Sequence, residues 1–257
     1  MLNFFFAELR RNWIMLRRYP LQALSSTVLM LILFMTLLGG IRYVAGPAQQ
    51  FGDRLDTLIV GYVLWNTLIF AMGEISGGLQ GEAKIGTLEQ LFLSPLSGTR
   101  VFLLRALAAQ TVTIAFNVVT LGFLLLITRT TLHFPPGLFI PLASALAACY
   151  GLGLVLGSLA LVFKRVEAVI QISQFGLITL VMVPFETWQG GSVNPYYLLP
   201  LVPSAALLRD LMVRGQSLDP AVLLVALLNG TVYLVLGSLV FRWAERTTKQ
   251  QGLLGTY

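Results

Sequence analysis

Few side chains in this sequence can do covalent chemistry, and their spacing argues against most of it. One cysteine and one histidine, Cys149 and His133, cannot form a disulfide, a Cys/His zinc site or a two-histidine metal motif. Phosphate cradling by a P-loop needs Gly-Lys followed by Ser or Thr, whereas Lys84, Lys164 and Lys249 follow Ala, Phe and Thr. A Gly-x-Ser-x-Gly nucleophile turn is also absent. Gly151, Gly153 and Gly157 differ from a dinucleotide loop by one residue in the last spacing and lie inside an apolar run. There Gly153 and Gly157 are expected to let two helices approach closely. Two carboxylates remain, Glu74 within an apolar run and Glu186 at the end of another. Either could serve as an acid or base of an intramembrane enzyme, although few nucleophiles lie near them in sequence.

The elements that must hold these residues are membrane spans. Of the 257 residues, 56% are hydrophobic and 11% charged, far below the roughly 25% charge of soluble domains. The pI of about 9.8 comes from basic residues at the ends of apolar runs, not from a patch, so topology explains it better than nucleic acid does. Six runs near 21-40, 57-80, 105-128, 137-163, 167-186 and 220-241 are each about long enough to cross a bilayer as a helix. An even count puts both termini on one side. With the termini inside, twelve Lys and Arg fall in cytoplasmic segments and five outside, so both termini are expected in the cytoplasm of a multi-pass plasma or inner membrane protein.

Residues 1-18 place Leu2, Phe5, Phe6, Leu9, Trp13 and Leu16 along one helix face, with Arg10, Arg11 and Arg17 mostly off it. This predicts an amphipathic helix lying in the interface, in contact with lipid. The apolar run after Arg18 is longer than the core of a signal peptide, so cleavage is not expected. Between the fifth and sixth runs, 187-219 holds two short apolar pieces separated by Pro203, with Pro195 and Pro200 also breaking any continuous helix. The expected shape is an extracellular re-entrant or surface-lying helical pair, with Ser204 capping its second helix, which carries Arg209 and Asp210. Polar residues within the runs, Asn66, Gln110, Asn117, Gln171, Gln174 and Asn229, should avoid lipid and bond between helices or face a cavity. Asn66, Asn117, Gln171 and Gln174 are candidates for a translocation path.

One loop stands apart. Residues 82-98 read EAKIGTLEQLFLSPLSG. Gly86 breaks the chain, Thr87-x-x-Gln90 has capping-box spacing, and Pro95 ends the helix about two turns later. Leu88, Leu91 and Phe92 fall on one side, with Glu89 and Gln90 elsewhere. Ser97 to Thr99 offer capping groups for the next long helix. Such a short, rigid element suits docking of a partner, or anchoring to lipid.

Glu82, then Gly86-Thr87-Leu88-Glu89, then Ser94-Pro95 after the second span resemble the membrane subunits of ABC-2 type exporters. Asn194-Pro195 followed by Arg209 is similar to the family's pattern in its last external region. The resemblance runs over nearly the whole chain and implies a single ABC-2 type transmembrane domain over 1-257. The expected fold is an all-α integral membrane protein with six transmembrane helices, an N-terminal interface helix, a cytoplasmic coupling helix and an external helical pair. The resemblance further implies that Glu82, Gly86, Thr87, Leu88, Glu89, Leu91, Phe92 and Pro95 dock a separate ATP-binding subunit. Leu9, Arg10, Trp13 and Arg17 of the interface helix would contribute to that contact. ATP and Mg would then be bound by the partner, present in two copies, with no cofactor in this chain and a second permease completing the dimer, most simply another copy as a homodimer or else a related permease. The implied activity is export of an amphiphilic or hydrophobic, drug- or lipid-like solute. Export of a lipid-linked polysaccharide, a non-transporting scaffold and the intramembrane enzyme are the alternatives.

Overall fold

The computed structural model describes residues 2-45, 52-87, 90-91, 97-163, 166-188 and 194-250. Among them the secondary structure is helical, with no strand. The long helices are α1 (Leu2–Arg18), α2 (Pro20–Ala45), α3 (Gly52–Ile85), α4 (Gly98–Thr128), α5 (Phe139–Val162), α6 (Glu167–Met182), α7 (Val202–Met212) and α8 (Pro220–Gln250). Five of them, α2, α3, α4, α5 and α8, contain segments long and apolar enough to cross a membrane. This marks the chain as a multi-pass membrane protein.

The run expected to be the fifth span is shorter than its sequence suggests. Helix α6 has 16 residues, about 24 Å at 1.5 Å per residue, short of the ~30 Å hydrocarbon core. It stops because Val183 turns extended before Pro184, as a residue ahead of proline tends to. Several other spans run longer than the apolar stretches alone predict. Helix α3 continues to Ile85 through Gln80, Glu82 and Lys84, so its polar end projects beyond the apolar segment.

The core forms around α5, which packs against α3 on one side and α8 on the other. Helices α5 and α8 run parallel in close contact. The Ser144 hydroxyl donates to Ala226 O at 2.5 Å, and one heptad further along Gly151 lies against the backbone of Tyr233 and Gly237. Small residues on both helices allow this approach, as is usual where apolar lipid supplies no driving force for association. Gly153 and Gly157 face Met72 and Ile75 of α3, with Phe241 also against Gly157. The close approach expected at these two glycines therefore occurs against α3, while among the described glycines Gly151 and Gly237 make the tightest approach, between α5 and α8.

The segment between α6 and α8 differs from its expected capping. Helix α7 begins at Val202 after Leu201, whose φ of 71° is left-handed. Pro203 sits in the first turn, where its missing N–H is not needed. Ser204 is thus inside the helix, and no side chain caps it. Before it, Pro195–Leu198 forms a single 3-10 turn opened by Asn194, whose Oδ1 accepts from Tyr196 N at 3.0 Å.

Candidate functional site

At one end of the bundle, helices α1, α3 and α4 converge on a chain of charges. The centre of the α1 face packed on α4 is Glu8, 6% exposed, flanked by half-buried Phe5, Leu9 and Asn12. Leu2, Phe6 and Trp13 remain exposed, as do Arg10 and Arg17. The apolar face expected of α1 is therefore split, with one edge against α4 and the other free for lipid.

Arg105, seven residues into α4, bridges two acids from different helices. Its Nε donates to Glu8 Oε1 at 3.1 Å and its Nη1 to Glu82 Oε1 at 2.6 Å. Arg11 reaches the other Glu8 oxygen at 2.9 Å. The second Glu82 oxygen accepts from the Thr87 hydroxyl. Thr87 N also bonds back to Glu82 O at 3.1 Å, across Gly86 at φ 80°, a conformation that side chains with a Cβ rarely adopt. The loop start is thereby latched to the end of α3 and, through Arg105, to α4 and α1. Charge-assisted bonds of this kind are about twice as strong as neutral ones.

The capping box expected at Thr87-x-x-Gln90 takes another form. The Thr87 hydroxyl donates backwards to the Glu82 carboxylate, and Thr87 N, which the Gln90 side chain would reach in a capping box, bonds to Glu82 O instead. A helical turn still begins here, with Leu91 N donating to Thr87 O at 3.1 Å. Leu91 packs against the protein's own core, whereas Ile85 is 76% exposed and Gln90 is exposed. Leu88, Glu89, Phe92 and Pro95 lie outside the described residues. At the far side of the loop Ser97 precedes α4, but its side chain makes no cap bond. The Ser97 and Thr99 hydroxyls are buried and have no partner among the described residues.

This network gives a direct test. Arg105→Gln leaves Glu8 and Glu82 without their shared cation, and removal of one partner from a part-buried pair costs about 2 kcal/mol. We expect faster trypsin cleavage after Arg10 and Arg11 as α1 loosens, with partial recovery in Arg105→Lys. Unchanged cleavage in Arg105→Gln would show that the network does not hold α1.

At the opposite end, Arg209 of α7 is 1% exposed. It grips Glu186 with two parallel bonds, Nε to Oε1 at 2.8 Å and Nη2 to Oε2 at 2.7 Å, and Nη1 donates to Val181 O at 2.7 Å. Arg214 lies 3.8 Å from Glu186 and pairs with Asp210. Burial pushes the Asp210 carboxyl above its ordinary value, with Arg214 pulling it back. Asn194 donates to Phe185 O at 3.1 Å, and Pro195 follows in the 3-10 turn. Asn229 of α8 completes the tie by donating to Tyr197 O and Leu199 O, each at 3.0 Å. The segment between α6 and α8 is thus fastened to the ends of both helices. Glu186, one of the two candidate acids, is a structural partner of Arg209. Glu74 is half-buried and makes no ion pair with a described residue.

Within the spans, the polar residues separate into two groups. Gln110, Thr113, Asn117 and Thr120 are all buried at spacings of three and four on α4, forming a polar face turned toward α3. The Asn117 amide donates to Thr67 Oγ1 at 2.8 Å, and the Gln110 amide to Thr67 O at 3.4 Å. Asn66 joins Asn117 at a small cavity between α2, α3 and α4. Gln171 is exposed and Gln174 half-buried on α6, away from this group. A larger apolar crevice of about 730 Å³ lies between α2, α3 and α6, lined by Leu33, Leu37, Tyr62, Trp65, Ile178 and Met182 among others.

Sequence reasoning missed Glu8, Arg105 as a bridging group, and Thr113 and Thr120. Arg105 carried a signal, since a cation seven residues inside an apolar helix requires a partner. The spacing of 110, 113, 117 and 120 carried another. No family model matches the chain, and no curated protein matches it.

Proposed function

We propose that this chain is the membrane-spanning permease subunit of an ATP-driven exporter of the ABC-2 type. In this reading α6 counts as a sixth span together with its 3-10 extension, both termini are cytoplasmic, and 187-219 forms an external helical pair. Residues 82-98 form the coupling element, seated in a separate ATP-binding subunit. Two such subunits act on two permease copies, and ATP and Mg belong to those subunits. The observation that supports the reading best is the charged latch from Glu82 to Arg105 and Glu8. A partner that pushes on the loop would move α1, α3 and α4 together, because salt bridges tie the loop start to all three. A surface loop serving only as a lipid anchor has no use for such a linkage.

The apolar crevice between α2, α3 and α6, and the scarcity of charge within the spans, favour an amphiphilic or hydrophobic cargo over an ionic one. Vesicles made inside-out from cells overproducing the chain with its ATPase test this. ATP should drive accumulation of a lipophilic dye in the lumen, and Glu82→Arg should lower it at least tenfold, since charge reversal breaks the latch. Equal accumulation with and without ATP would reject the export reading.

A further inference from the structure

We propose that the cavity between α2, α3 and α4 is a binding site for a neutral, hydrogen-bonding headgroup of an amphiphile dissolved in the bilayer. The cavity is about 140 Å³ and lies within three spanning segments, Leu24–Ile41, Arg54–Glu82 and Gly98–Thr128. Met30, Asn66, Phe70, Phe116, Asn117 and Thr120 line most of it, with Ser26 and Phe70 at its exposed side.

Asn66 is nine-tenths buried, at 9% exposure, yet its carboxamide makes no hydrogen bond with any described residue. An amide carries two donors and one strong acceptor, and leaving them unpaired away from water costs roughly 1–3 kcal/mol. Thr120 is 3% exposed, and its hydroxyl likewise makes no bond to a described residue, although buried helical threonines elsewhere in this chain bond back to the preceding turn. Asn117 is held in place by Thr67 through its amide nitrogen, which leaves its oxygen available to the cavity. Three polar groups therefore open onto a shared space, where no described residue satisfies them. Buried polar groups retained in this state call for a partner.

The lining sets the partner's chemistry. Among the described residues no charged side chain borders the cavity, so an anion or cation there would be desolvated without a counter-charge. Hydroxyl and amide groups of both donor and acceptor character match the lining instead. Phe70, Phe116 and Met30 suit the first carbons of an apolar tail. Water alone would meet the hydrogen bonds but not the apolar walls, and the test separates the two.

The purified full-length chain in phosphatidylcholine nanodiscs is exposed to a monoacylglycerol carrying a diazirine near its headgroup, then irradiated and mapped by mass spectrometry. The site predicts saturable labelling of α2, α3 and α4 around Met30, Phe70 and Phe116. Unlabelled monoacylglycerol should compete, whereas a fatty acid anion and an alkylammonium of equal chain length should not. Asn66→Leu, which removes the amide and fills the space, should weaken apparent affinity about tenfold, the effect of one to two lost hydrogen bonds. Thr120→Val, nearly isosteric, should weaken it about threefold and remains decisive if Asn66→Leu does not assemble. Labelling that rises linearly with probe, equal labelling in wild type and Thr120→Val, or equal competition by the charged analogues would overturn the proposal. Extending the site to the transported cargo rests on the permease reading, but the labelling needs no ATPase, so either result can fail without the other.

Discussion

Gly237→Val is expected to abolish folding of the bundle, read as loss of monodisperse protein on extraction. A Cβ at position 237 would lie far inside van der Waals contact distance of Gly151 O, with Gly151 C and Cα also too close. These are backbone atoms of a buried helix, so no rotamer change relieves the overlap. Relief requires α5 and α8 to part, which would also strain the Ser144 to Ala226 bond one heptad away. The cost should exceed about 4 kcal/mol, beyond the usual range of single substitutions. Gly237→Ala should already be destabilised for the same reason. Gly122→Ala on α4 has nothing within 4 Å of the new Cβ and should be tolerated or slightly stabilising, since alanine favours helix. A Gly237→Val protein as stable as Gly122→Ala would refute the observed helix contact.

Arg209→Ala should have the next largest effect. It strands Glu186, whose side chain is 8% exposed, and leaves Val181 O without its donor. Breaking a buried pair by removing one partner typically costs 3–5 kcal/mol. A fall in the detergent melting temperature of about 10 °C is expected, moderated by Arg214 at 3.8 Å from the same carboxylate. The double variant Arg209→Leu with Glu186→Leu should recover much of the loss, because two apolar side chains need no partner. A double variant no better than Arg209→Ala would mean that Arg209 acts through something other than Glu186.

The spans were legible in the sequence because apolar length is a direct physical requirement of the bilayer. What composition could not convey was where polar side chains would meet. Arg105 and Glu82 are 23 positions apart and Arg105 and Glu8 are 97 apart, and nothing in local periodicity pairs them. The shortness of α6 was hidden for a related reason. Residues 183-185 continue the apolar pattern, but Pro184 ends the helix while Phe185 still packs in the interior. Thr87 shows a third limit. Its spacing to Gln90 satisfied a local rule, but both its hydroxyl and its backbone N–H bond back to Glu82. Between α6 and α8, nothing in the sequence pairs Arg209 with Glu186, 23 positions away, and only packing shows that Arg209 faces inward onto it.

The permease reading stands or falls on whether a nucleotide-hydrolysing subunit binds the loop after α3. Tagged protein purified in mild detergent from its native host, after gentle chemical cross-linking to prevent dissociation, measures this directly. Ile85→Asp is the informative variant, because Ile85 is 76% exposed and can be changed without disturbing the core that Leu91 contacts. An ATPase subunit that accompanies the wild type and is lost from Ile85→Asp, with both proteins equally inserted, is the predicted result. A cross-linked wild type that carries no ATPase, or an Ile85→Asp protein that retains it at full stoichiometry, would contradict the account.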